Sequence, residues 1–131
     1  MNALEFRFAF FARDFKKSVH FYQDILGMTP VGEWWDRAED GKGALLSTGG
    51  TGVIEIYGAA EGTTYTGPSP VAINLALRFE NPAVVDEFYQ RLVAVGVERI
   101  EPPQDRPWGH RSFIVHDPDE IPVHIYCELK R

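Results

Sequence analysis

Two short phrases recur in this chain at nearly one offset. Phe21-Tyr22-Gln23 returns as Phe88-Tyr89-Gln90, 67 positions later, and Ile54-Glu55-Ile56-Tyr57 returns loosely as Val123-His124-Ile125-Tyr126, 69 positions later. Both pairs keep their order within 131 residues, the mark of a duplicated half-domain. The repeat is too long for a solenoid unit. It constrains the chain to two copies of one supersecondary unit sharing a core. Duplication also sets equivalent positions face to face across a pseudo-twofold axis, and those positions hold Glu55 and His124, two side chains able to move protons.

Hydrophobic periodicity names the unit. Leu4, Phe6, Phe8 and Phe10 alternate with Glu5, Arg7 and Ala9, which predicts a strand over residues 3–12. Asp14 offers an N-cap and Gly27 a stop, with Phe15, Val19, Tyr22 and Leu26 at helical spacing between them. Residues 28–36, 43–48 and 52–58 read as strands, with Gly41 and the run Thr48 to Gly52 supplying turns. Module one, about residues 3–58, is therefore βαβββ, and residues 59–70 read as a linker. The cycle restarts where Ile73, Leu75, Leu77 and Phe79 alternate with Asn74, Ala76 and Arg78. Asn81-Pro82 caps a helix that Gly96 closes. Strands near 97–101, 111–116 and 122–129 complete module two, about residues 71–129, and Glu101 to Gly109, with three prolines, reads as a loop. The expected fold class is α+β: one domain over residues 1–131, built from two βαβββ modules.

Composition excludes several classes of function. An apolar fraction of 44% and a charged fraction of 24% are those of a globular protein, and 131 residues can bury a real core. The net charge of −6, with no lysine or arginine cluster, argues against a nucleic-acid partner. No apolar run is long enough to span a bilayer, so no membrane partner is expected. The lone cysteine, Cys127, cannot form an internal disulfide, which suits a soluble cytoplasmic protein.

The run Asp14-Phe15-Lys16-Lys17-Ser18-Val19-His20-Phe21-Tyr22, continuing to Leu26-Gly27-Met28, and the run from Pro107-Trp108-Gly109-His110 to His116-Asp117-Pro118-Asp119 resemble the vicinal oxygen chelate superfamily. Its members include glyoxalase I, bleomycin resistance proteins and extradiol dioxygenases. The resemblance covers nearly the whole chain and implies paired βαβββ modules whose sheets curl into a cup. Metalloenzymes of the family place a ligand on the first and last strand of each module. Those positions fall here on Arg7, Glu55, Asn74 and His124. Only Glu55 and His124 could serve a divalent metal, since Asn74 is a poor ligand and a guanidinium offers no lone pair. No cofactor is therefore expected, and a metal, if one binds, would use Glu55 and His124.

The resemblance implies a small-molecule binding protein, homodimeric, with its ligand in the cup between paired modules. Arg7, Asn74, Tyr57, Tyr126, Trp108 and one of the adjacent Trp34 and Trp35, Trp35 in this reading, would contact the ligand. A second implied function is a glyoxalase-like lyase or isomerase in which Glu55 and His124 move protons, with or without a divalent metal. A ring-cleaving dioxygenase fits less well, because Arg7 and Asn74 occupy two places of its histidine-histidine-carboxylate iron set. The four polar positions could also form a buried network with no chemistry. One departure bears on His124. Glu120 follows Asp117-Pro118-Asp119 where the family commonly has glycine, and a one-residue slip there would turn His124 out of the cup.

Overall fold

Asp14 ends the first strand and begins the first helix. Its side chain accepts a hydrogen bond from the Lys17 backbone N at 3.1 Å, the N-cap geometry its sequence position predicts. The computed structural model describes residues 1–32, 35–37, 41–60, 63–68 and 73–130. These fall into two compact units, residues 1–70 and 71–131. No helix among the described residues is long and apolar enough to cross a membrane.

In the first unit, β1 (Phe6–Phe11) leads into α1 (Phe15–Val19), which runs on as a π-helical segment, His20–Ile25. The strand is shorter than its alternation predicts. Phe10 is buried, but Phe6 is 75% exposed, so only the C-terminal end of the apolar face is covered. The π-helical segment is a second departure. Its hydrogen bonds reach one residue further back than in an α-helix, as from Leu26 N to the Phe21 carbonyl at 2.8 Å. Both Phe21 and Tyr22 are buried, with rings edge to face at 5.1 Å. An α-helical period predicts only Tyr22 of that pair. Gly27 closes the segment at φ 87°.

The sheet of this unit contains β2 (Thr29–Pro30), β3 (Trp35–Arg37), β4 (Gly41–Ser47) and β5 (Gly52–Gly58). Its order is β1-β5-β4-β2, with β3 also pairing β4; β1 runs parallel to β5. Ala44, Leu46, Ile54 and Ile56 form the buried face, and the alternation leaves Glu55 and Tyr57 on the other. Gly41 opens β4 at φ 90°.

The second unit repeats the plan with β6 (Leu75–Arg78), α2 (Pro82–Ala94), β7 (Gln104–Asp105), β8 (His110–His116) and β9 (Pro122–Glu128). The sheet order is β6-β9-β8-β7, with β6 parallel to β9. Asn81 caps α2 by accepting from Val84 N at 3.0 Å, Pro82 occupies the first turn, and Gly96 leaves the helix at φ 90°. Val85 and Leu92 of α2, with Phe113, Val115, Val123 and Ile125, have no exposed surface and make the core.

The second strand of this unit differs from expectation. Residues 97–101 contribute one bridge, Ile100 to Val115, and β7 lies instead inside the proline-rich segment expected to be a loop. Pro102, Pro103 and Pro107 lack donors, but Gln104 and Asp105 between them keep theirs and pair with β8. Arg111 fastens this edge. It donates to Asp86 of α2 at 2.8 Å and to Asp105 of β7 at 2.9 Å.

The β8–β9 turn keeps register without the glycine. Glu120 takes φ 68° itself, which costs about 1–2 kcal/mol for an L-residue. The buried Asp117 carboxylate offsets that strain by accepting from Ile121 N at 2.7 Å. Val123, Ile125 and Cys127 are fully buried, so His124 and Tyr126 share the opposite face.

Candidate functional site

Each unit gathers polar side chains on the open face of its sheet. In the first, parallel pairing of β1 with β5 brings Arg7 beside Glu55. Arg7 Nη1 donates to Glu55 Oε2 at 3.1 Å, and its Nε to Glu5. The Tyr57 hydroxyl donates to the other Glu55 oxygen. That hydrogen bond, with burial and the nearby carboxylate charge, raises the Tyr57 pKa above its ordinary value. Both Glu55 oxygens are engaged, so this cluster is closed by its own members. Trp34 lies outside the described residues. The Trp35 backbone belongs to β3, and its side chain lies outside what is described.

In the second unit, Asn74, Ala76, Trp108, His110, Ser112, His124 and Tyr126 line a concavity of about 280 Å³. Sheet register explains the set. Ala76 stands opposite His124 across the β6–β9 pair, and Ser112 opposite Tyr126 across β8–β9. The His110 and Tyr126 rings stack at 4.6 Å between centroids, making one aromatic wall. Trp108 stands 62% exposed on the β7–β8 turn, which closes through Arg106 N to the His110 carbonyl at 2.6 Å. Of the residues singled out from sequence, Asn74, Trp108, His124 and Tyr126 meet here, and Arg7, Glu55 and Tyr57 meet in the first unit. Ser112 and Ala76 were not singled out. Ser112 is visible in the sequence only once its pairing with Tyr126 is known.

His124 is held toward its neutral form. Burial lowers its pKa most, the Arg106 and His116 charges lower it further, and Glu101 opposes them. The unfolded chain therefore takes up this proton at higher pH than the folded one. His124 costs nothing well above the ordinary histidine pKa of about 6.5, and stability falls as pH drops through that value. We expect the urea midpoint of the wild type to fall between pH 7.5 and pH 5 by more than that of H124Q. Equal losses would show that His124 carries no such penalty. Cys127 has no exposed surface, and burial first of all raises its thiol pKa, which disfavours the thiolate.

The donor set does not fit the metal that the family's enzymes carry. Arg7 stands at one family position with its guanidinium 3.1 Å from Glu55, where a divalent cation would meet direct repulsion. Asn74 fills a second position with a weak ligand. Among the described residues, no three His, Cys, Asp or Glu side chains group so as to hold a metal ion.

Two βαβββ units, each with one helix and a mixed sheet whose open face carries polar residues, define a class of protein. The family model described as the glyoxalase/bleomycin resistance protein/dioxygenase superfamily matches residues 6–125, and the chain belongs to that superfamily. Solved structures agree on the fold. A glyoxalase/bleomycin resistance protein/dioxygenase from Nocardioides is 23% identical, with a TM-score of 0.73 over 99% of this chain and 85% of its own. TnmS3, an antibiotic binding protein from Streptomyces sp. CB03234, is 20% identical, with a TM-score of 0.73 over 98% of this chain and 97% of its own. Lactoylglutathione lyase from Agrobacterium tumefaciens is 19% identical, with a TM-score of 0.70 over 97% of this chain and 94% of its own. No curated protein sequence matches the chain.

Proposed function

We propose that this protein is a small-molecule binding protein of the glyoxalase/bleomycin resistance type, and that its ligand occupies the concavity of the second unit without a bound metal. The observation that carries this reading is the lining itself. Aromatic surfaces from Trp108, Tyr126 and His110 surround a few polar groups, Asn74, Ser112 and His124, the composition of a small-ligand site. Its volume of about 280 Å³ suits a compact ligand or one end of a larger one.

The fold alone does not choose between binding and catalysis, since structural relatives include a protein described as antibiotic-binding and one described as a lyase. The engaged state of Glu55 favours binding. A lyase or isomerase using Glu55 as a base would first have to break its contacts with Arg7 and Tyr57.

Trp108 gives the test. An indole 62% exposed on a turn gains most when a ligand covers it. Titration with a panel of compact aromatic compounds, followed by calorimetry, should find binders whose affinity falls about tenfold or more in W108A, or ~1.4 kcal/mol. Equal affinity of W108A and wild type for every binder would remove the concavity as the site.

A further inference from the structure

Arg106 differs from the four arginines whose ion pairs are defined. Arg7 faces Glu5 and Glu55, Arg78 faces Glu128, Arg99 faces Glu120, and Arg111 faces Asp86 and Asp105. Arg106, half-buried, donates only to neutral acceptors among the described residues: Ser112 Oγ at 2.9 Å, Gln104 Oε1 at 3.3 Å and the Ser112 carbonyl at 3.4 Å. A guanidinium has five N–H donors, so its charge and part of its donor capacity are left over.

The contact with Ser112 points this charge at the concavity. Ser112 is buried and lines the cavity wall. Its oxygen accepts from Arg106, so the hydroxyl proton is left to donate, and it meets no acceptor among the described residues. The same positive charge acts on His124, against the opposing charge of Glu101. A neutral imidazole still offers one N–H, and Asn74 offers an amide. Three neutral donors backed by a cation with no carboxylate bonded to it among the described residues complement an anion, and the aromatic walls complement a flat ring.

We propose that this concavity selects planar aromatic ligands bearing a carboxylate, with Arg106 as the specificity-determining residue acting through Ser112. The inference rests on the binding reading above and names its ligand class. The chain's net charge of −6 does not oppose it, because spread surface charge is screened beyond about 8 Å at physiological salt, whereas Arg106 lies one hydrogen bond from the wall.

The test compares three probes of one shape by equilibrium dialysis: naphthalene-2-carboxylate, its neutral amide and 2-naphthylmethylammonium. The carboxylate should bind about tenfold tighter than the amide, the gain expected of a charge-assisted hydrogen bond. R106Q should bring the carboxylate down to the amide's affinity, and R106K should keep part of the preference. S112A, which deletes the donor and keeps the charge, should weaken the carboxylate several-fold and serves if R106Q does not fold. Amide or ammonium binding as tightly as carboxylate would overturn the inference and leave the binding reading standing. Binding of none of the three would overturn both.

Discussion

Replacing Phe113 with alanine is expected to destabilise the protein by about 3–5 kcal/mol, the range for a fully buried phenylalanine. Phe113 has no exposed surface and sits in mid-β8 opposite Ile125. Its ring meets Tyr89 edge to face at 5.5 Å and Phe88 at 6.3 Å, so it joins α2 to the sheet. Flanking core residues Val115, Val123 and Ile125 are held by strand register and cannot close the space a phenyl ring leaves. The loss reaches the site as well, because β8 carries His110 and Ser112 on its other face. Against a typical total of about 5–15 kcal/mol, F113A should stand near its unfolding threshold, read as a lowered urea midpoint and lowered Tm. A loss below about 1 kcal/mol would mean that the helix and sheet repack around the gap.

What the chain reveals before folding is whatever depends on neighbours in sequence. Asp14 and Asn81 cap their helices, Gly27 and Gly96 end them, and alternation along Val123 to Cys127 puts His124 beside Tyr126. Those are short-range preferences of caps, φ angles and pleat. The π-helical segment was not legible, because two adjacent aromatics buried together break the period used to find helices. Strand β7 was masked by its flanking prolines, although the donors between them suffice for pairing. The candidate site was legible where it follows from strand parity, in Asn74, His124 and Tyr126. Arg106 was not. Its distinction is that it meets no carboxylate among the described residues, which depends on where each acidic side chain goes in the fold.

Gly41→Ala is expected to cost about 2–4 kcal/mol, the sum of a backbone term and a steric one. Gly41 has φ 90°, where an L-residue pays about 1–2 kcal/mol. A Cβ there would also lie 2.5 Å from the Gly58 carbonyl oxygen, inside any tolerable contact. That oxygen belongs to β5, which is held between β1 and β4, so it cannot retreat without straining both pairings. Gly49 supplies the control. Its φ of 95° carries a similar backbone cost, but a Cβ there meets nothing within 4 Å. The urea midpoint of G41A should therefore fall clearly below that of G49A, and the gap measures the clash alone. Since β5 also carries Glu55 and Tyr57, the Tyr57 phenol titration should move in G41A and stay put in G49A. Equal midpoints for the two variants would show that the Gly58 carbonyl yields, and that β4 and β5 are held less tightly than their register implies.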